Sequence, residues 1–318
     1  MTAALDAALR QRVITPRVRL ELTRGAQSFS FDQSRVLAAE ETREPYRHAA
    51  EFLLHNADGA LNARDLRGFR AIIGWGAQTA TGAEYVYSPP LTVMRHETIS
   101  EPGLLACRLL CHGLPEGLAE DRASGAYRPD SGSTETVKTL IEQVLSAALP
   151  CYGHCAATPY AWDGTDALAT SYRPRDGFRV YLNGSRLAAV RRLLDFTTCA
   201  MRVEPDGKLR LFPVAAAGGA VAHEFSLASG GHAFLRRSGG RTLVLPNRVI
   251  VRTPEDWPVM YTGVATDTES YALLPRVQHQ VAAADSTAQA TLLAQAILSK
   301  YVLQAPAAAL TVPLAPQV

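Results

Sequence analysis

Between Thr15 and Gly113 apolar residues recur at every second position in short runs. Val18, Leu20 and Leu22 alternate with Arg17, Arg19, Glu21 and Thr23, and beyond Gly25 the same period returns at Phe29 and Phe31. Runs at Arg35–Thr42, Ala49–His55, Phe69–Gly76, Glu84–Glu97 and Leu104–Gly113 continue it, separated by Asn56-Ala-Asp-Gly59, Pro89-Pro90 and Pro102-Gly103. A period of two sends alternate side chains to one face, so each run predicts a half-buried strand. With no helix of convincing length among them, the region predicts an antiparallel barrel or sandwich.

The period then changes. Thr134–Leu149 places Val137, Leu140, Ile141, Val144, Leu145 and Ala148 on one helical face, with Ser133 or Thr134 as cap and Pro150 as stop. Pro150–Asp176 reads as loop. Its Tyr152, Tyr160, Trp162 and Tyr172 are expected to pack a small domain or an interface, with a glycan groove as the alternative. Val180–Val214 reads as strand, helix and hairpin. Ser185 caps a helix with Leu187, Val190, Leu193 and Leu194 inward and Arg186, Arg191 and Arg192 on the other flank. Past Asp195, Cys199, Met201 and Val203 alternate with Ala200, Arg202 and Glu204 up to a Pro205-Asp206-Gly207 turn, and Leu209, Leu211 and Val214 return.

After the small-residue segment Ala215–Ala222, apolar runs at Phe225, Leu227, Phe234, Leu243–Leu245, Val249–Val251, Val259–Tyr261 and Tyr271–Leu274 predict a second sheet or barrel. Gly230-Gly231, Gly239-Gly240 and Asp256-Trp257-Pro258 separate these runs. The chain closes with a helix over Ser286–Leu303 and a strand over Ala309–Val312, while Thr2–Arg12, with Leu5 and Leu9 four apart, reads as a peripheral helix or frayed arm. The fold class is therefore α+β, predominantly β.

At 318 residues and 47% hydrophobic content the chain can build two or three cores. A net charge of +2 argues against sequence-specific nucleic-acid binding, and no apolar run suits a membrane span. The N-terminus lacks the apolar stretch of a secretory signal, so synthesis in the cytoplasm is expected. Five cysteines, an odd number, speak against a disulfide framework. Cys107 and Cys111 read as buried small hydrophobes. Cys151, His154, Cys155 and Cys199 are the candidate metal ligands. They lack the second close pair of a structural zinc site, so buried thiols or a local disulfide is the preferred reading. Cys151 or Cys155 with His154 is also the only hydrolase constellation to weigh, and adjacency in sequence rarely gives a base the right approach to its nucleophile. His96-Glu97 and His223-Glu224 lack the second histidine of a metalloprotease helix; Gly74-Trp-Gly76 lacks the third glycine of a dinucleotide loop; Asn183-Gly-Ser185 reads as a helix-entry turn. No catalytic residue and no cofactor is expected.

In order along the chain, several motifs resemble the baseplate hub or tail-tip hub proteins of tailed phages and phage-tail-like particles. These are Val18-Arg-Leu-Glu-Leu22; Glu51-Phe-Leu-Leu-His-Asn-Ala-Asp-Gly59 with Leu61-Asn62; Arg70-Ala-Ile-Ile-Gly-Trp-Gly76; Tyr181-Leu-Asn-Gly-Ser-Arg-Leu187 with the ribbon at Asp206-Gly207; and Ser286–Tyr301 followed by Leu310-Thr-Val-Pro313. The resemblance implies two antiparallel β-barrel domains with an intervening small α/β region: an arm over 1–14, a first barrel over 15–125, a middle domain over 126–215 and a second barrel over 216–318. It implies a non-enzymatic structural protein of the virion, at the tail tip or baseplate. As a homotrimer, it would adapt a sixfold tail tube or distal tail protein to a threefold spike or central fibre, next to a tape measure protein, around the channel for DNA ejection. With the chain ending at Val318, a fused lysin or fibre-attachment module is expected on a separate protein.

Overall fold

The computed structural model describes all residues except 12, 215–223, 227–230, 241, 306–307 and 313–318, so the readings at Ala215–Ala222, His223, Leu227, Gly230 and Pro313 lie outside the described residues. A short helix, α1 (Ala3–Leu9), precedes eight strands: β1 (Pro16–Arg24), β2 (Gln27–Phe31), β3 (Val36–Glu44), β4 (Arg47–His55), β5 (Arg70–Thr79), β6 (Gly82–Tyr87), β7 (Leu91–Glu101) and β8 (Leu104–His112). They form one antiparallel sheet in the order β2-β1-β5-β7-β8-β4-β3, with β6 added to β5. Alternation does what it predicts. Leu20, Leu22, Phe52, Leu54, Ile73 and Leu109 are fully buried in one core that runs from Val18 to Cys111. β1 and β3 lie in contact across the curl of the sheet, yet no ladder joins the two edge strands among the described residues, so a closed barrel is not formed by hydrogen bonds.

Two expectations for this region change. Glu84–Glu97 is two strands, because Pro89-Pro90 removes the amide donors that a continuous ladder needs. The N-terminal segment is not peripheral: Leu5 and Leu9 are buried against Ala77 of β5. Thr2 caps α1, accepting from the Leu5 amide.

From there the chain passes through α2 (Leu114–Glu120), α3 (Val137–Leu145), β9 (Tyr160–Trp162), α4 (Ala167–Ser171), α5 (Arg186–Leu194), β10 (Cys199–Val203) and β11 (Leu209–Pro213). α3 begins later than expected, capped by Thr136, and ends before Ala147, which takes φ 59°. α5 is capped by Ser185 as its sequence predicts. The expected strand at Val180 reduces to a single bridge with Tyr127: Asn183 at φ 61° turns the chain and leaves Tyr181 and Leu182 exposed. β10 and β11 form the hairpin, with Gly207 at φ 78°, and β9 adds in parallel to β11. Pro150–Asp176, read as loop, thus supplies a strand and a helix too short for periodicity to reveal.

The last third contains β12 (Arg236–Gly239), β13 (Arg248–Arg252), β14 (Thr262–Thr266), α6 (Thr268–Leu273), β15 (Val277–Val281), α7 (Thr287–Gln304) and β16 (Ala308–Thr311). β14-β13-β15 is a mixed three-stranded sheet, and among the described residues β12 pairs only with β16. A second barrel does not close among the described residues. The runs Val259–Tyr261 and Tyr271–Leu274 are not strands: the first lies in the β13–β14 loop up to Tyr261, and the second falls largely in α6, capped by Asp267. α7 packs on β13 and β14, and at Gly263 the approach is so close that a Cβ would lie 2.1 Å from the Ala290 carbonyl carbon. The buried cluster runs without a break from Leu118 to Leu298, so the helical middle and this last sheet share one core.

Candidate functional site

The residues that sequence nominated for chemistry do not assemble. Cys151 is buried and Cys155 half-buried, and burial raises both thiols above the ordinary value, which disfavours the nucleophilic thiolate. His154 is exposed, its Nε2 3.6 Å from the Cys155 sulfur. Cys199 is buried on β10, where it is surrounded by Thr197 and Asp166 rather than by the other cysteines. Among the described residues no group of three or more histidine, cysteine or acidic side chains is arranged to hold a metal ion. Burial pushes the Cys107 thiol up to about 11 and that of Cys111 to about 12, as befits apolar core residues.

The aromatic segment packs inward. Tyr152 and Tyr172 are buried in the shared core, while Tyr160 and Trp162 are half-exposed at its edge. Gly74-Trp-Gly76 lies in β5, and a Cβ at Gly76 would meet the Glu84 carbonyl oxygen at 1.8 Å: the glycine permits β6 to lie close to β5.

Three polar centres that sequence did not reveal hold separate elements together. Glu41, almost fully buried on β3, accepts from Trp75 Nε1 at 2.7 Å and Ser88 Oγ at 2.8 Å, and pairs with His48 Nε2 at 3.0 Å. Burial pushes its carboxyl up, but these hydrogen bonds outweigh it and hold Glu41 below the usual carboxylate range. Arg186 is 0% exposed. It donates to the carbonyls of Val144 and Ala156 at 2.8 Å and of Leu145 at 2.5 Å, and pairs with Asp121 at 2.8 Å. Lys300 of α7 reaches the Leu194 carbonyl at the end of α5, with Asp195 3.5 Å away, and burial lowers its pKa. Each is a tie between elements distant in sequence, and a lone charged letter in the sequence does not announce one.

Clefts mark the seams, and two of them are lined by charged side chains of facing elements. One, of about 580 Å³, lies between the β3–β4 turn, β6 and the β10–β11 hairpin, lined by Arg43, Arg47, Tyr87, Met201 and Arg202. Two of its arginines are engaged, Arg202 with Glu204 and over the Phe212 ring, Arg43 with Glu41 at 3.8 Å. The other, of about 430 Å³, lies beside Lys300 between α5, β15 and α7. Neither holds an exposed nucleophile beside a base. Among the described residues no helix is long and apolar enough to cross a membrane.

What the residues build is a β-rich scaffold whose buried charged side chains tie its own elements together. No protein-family model matches the chain, and no curated protein matches its sequence. Solved structures do. A tail protein from Neisseria meningitidis MC58 aligns with a TM-score of 0.60 at 14% identity, covering 92% of this chain and 78% of that one. A 43 kDa tail protein of prophage MuSo2 from Shewanella oneidensis aligns with a TM-score of 0.55 at 11% identity, covering 92% and 80%. The chain thus has the fold of these phage tail proteins, the family that its ordered motifs suggested.

Proposed function

We propose that this protein is a non-enzymatic structural component of a phage-like tail. In this reading it sits at the tip or baseplate as a homotrimer, where two barrel-like units per copy would present six similar surfaces to a sixfold tail tube and three to a spike or central fibre. The eight-stranded sheet (within 15–125) and the sheet-and-α7 unit (within 216–318) are the two ring-forming units, joined by the segment over 126–215, with the arm over 1–14 held on the first. A tape measure protein and DNA would occupy the channel, whose lining should be acidic or mixed in charge so that phosphates are not retarded. The observation that carries this reading is the likeness to the Neisseria tail protein over 92% of the chain. The arginines fit it as well: Arg186 is internal, Arg191 lies 4.7 Å over the Tyr46 ring and Arg192 donates to the Arg179 carbonyl, so these three serve protein contacts.

The test is sedimentation at micromolar concentration together with electron microscopy of the purified chain, alone and with its tail-tube protein. Threefold rings are expected; a protein that stays monomeric beside its tube partner overturns the reading. Cell-wall hydrolysis that disappears in Cys151→Ala or Cys155→Ala would replace it with an enzymatic one.

A further inference from the structure

The inward positions of β15 are occupied by amides. Its register sets Gln278 beside Val249 and Gln280 beside Val251 of β13, and both valines are fully buried on the face that α7 covers. Gln278 and Gln280 are themselves half-buried, whereas Val277 and Val281 of the same strand are exposed. A strand packed for stability alone has the opposite order, aliphatics inward and amides in water, so polar side chains at these positions mark a surface with another use. The Gln280 amide makes only a long contact to the Val281 carbonyl, at 3.5 Å.

Both glutamines line the cleft of about 430 Å³ between α5, β15 and α7. Lys300 and Arg192 bring two cations to it and Asp195 the one carboxylate among its lining residues, while Phe196 and Ile297 supply apolar wall. The Lys300 side chain is 18% exposed. An ammonium has three donors. Here one goes to the Leu194 carbonyl and one to Asp195, which is 3.5 Å away and 68% exposed, so a largely buried charge is answered by a largely hydrated one. Asp166, which also acts on Lys300, is not part of the cleft lining and is held by the Thr198 amide and hydroxyl. Arg192 donates to the neutral Arg179 carbonyl at 3.1 Å and meets no carboxylate among the described residues.

We propose that this cleft binds a carboxylate carried on a short aliphatic stem, whether a free acid or a glutamate side chain of a neighbouring protein. Two cations less one carboxylate leave a single positive charge, which a carboxylate balances and a phosphate dianion exceeds. The ligand takes the remaining Lys300 donor and the Arg192 fork, hydrogen bonds of the stronger, charge-assisted kind. The amides of Gln278 and Gln280 donate beside them, and the stem lies on Phe196 and Ile297. Because α5 and α7 belong to the core that the helical middle shares with the last sheet, an occupant of the cleft also fastens these elements to one another.

Methyl NMR of the full-length protein at Ile297, titrated with sodium butyrate, tests it. Saturable shifts are expected, with none from butylammonium at the same ionic strength. Lys300→Met and Arg192→Gln should each weaken butyrate binding by about tenfold or more. Arg192 is exposed, so its variant should keep wild-type melting even where Lys300→Met fails to fold. A capped tripeptide with a central glutamate identifies the source: binding tighter than that of butyrate assigns the site to a neighbouring protein, and weaker binding assigns it to a free acid. The absence of saturable shifts with either probe, wild-type affinity in folded Arg192→Gln, or binding of inorganic phosphate in place of butyrate overturns the proposal. None of these outcomes touches the tail reading above, which does not involve the cleft.

Discussion

In the eight-stranded sheet the inward side chains of seven strands meet one another and bury Leu20, Leu22, Phe52, Leu54 and Ile73 completely, with α1 closing a smaller cluster at Ala77. The β14-β13-β15 sheet is covered on one face by α7 and by the middle helices beyond it, and its other face is left to solvent. The difference shows at the surface. Of nineteen exposed large hydrophobic side chains among the described residues, five lie before residue 100 and twelve at or after Leu235. A sheet that curls on itself finishes its own core. A three-stranded one needs other elements on both faces.

The sharpest way to break this contrast is Gly263→Val. The new Cβ would meet backbone of Ala290 and Thr291 in α7, which no rotamer change relieves. The last sheet should lose its helix at a cost above about 3 kcal/mol, while hydrogen exchange in β1, β4 and β5 stays slow. Next come two cavities. Phe52→Ala should cost about 3 to 5 kcal/mol in the first unit alone, whereas Leu293→Ala, at about 2 to 5 kcal/mol, should loosen the middle helices and the last sheet together because they share a core. Exchange resolved by region decides it: independent protection of β13 and α3 would show that the core is divided after all. Arg186→Ala leaves three carbonyls without their donor and is expected to cost about 2 to 3 kcal/mol, again without effect on the first sheet.

The smallest effect distinguishes the units by pH. Glu41 is held below the ordinary carboxylate value when folded, so the unfolded chain takes up a proton at higher pH than the folded one. Its stabilisation is therefore complete above the ordinary glutamate pKa and fades as pH falls through the folded value. Acid titration should melt the eight-stranded sheet with a dependence that Glu41→Gln reduces, at a cost of about 1 kcal/mol near neutrality. An unchanged acid profile in that variant would show that other carboxylates set it.

The first sheet was legible in the sequence because its strands are long and buried on one face only, which is the condition under which a period of two is visible. α5 and its hairpin were legible for a like reason: Ser185 caps, Pro205-Asp206-Gly207 turns. In the last third β13, α7 and β16 were legible too, at Val249–Val251, Ser286–Leu303 and Ala309–Val312, but β12, β14 and β15 were not. β15 spells Val-Gln-His-Gln-Val with its valines outward, and β12 spells Arg-Arg-Ser-Gly, so neither shows an inward apolar run. Tyr271–Leu274 is apolar yet mostly helical, because Asp267 caps a turn there that short apolar runs cannot announce. The candidate ligands at Cys151 and Cys155 were chosen by spacing, and spacing says nothing of the burial that raises their thiols. Glu41 and Arg186 were invisible for the opposite reason: their partners lie far away in sequence, at Trp75 and Ser88 for the one and at Asp121, Val144, Leu145 and Ala156 for the other.

Those partners of Arg186 all precede it, by 30 to 65 residues. On the ribosome the chain therefore completes β8 and releases the first sheet to fold well before the guanidinium that binds α2, α3 and the Ala156 turn has been made. The middle unit must wait for it, with its carbonyls answered by water in the meantime. Nascent chains halted after Pro150 should accordingly carry a protease-resistant first sheet and a protease-sensitive α3, and the second should become resistant only when α5 has emerged. Synthesis of this protein thus has a built-in order in which the self-sufficient part comes first and the dependent part is closed from behind.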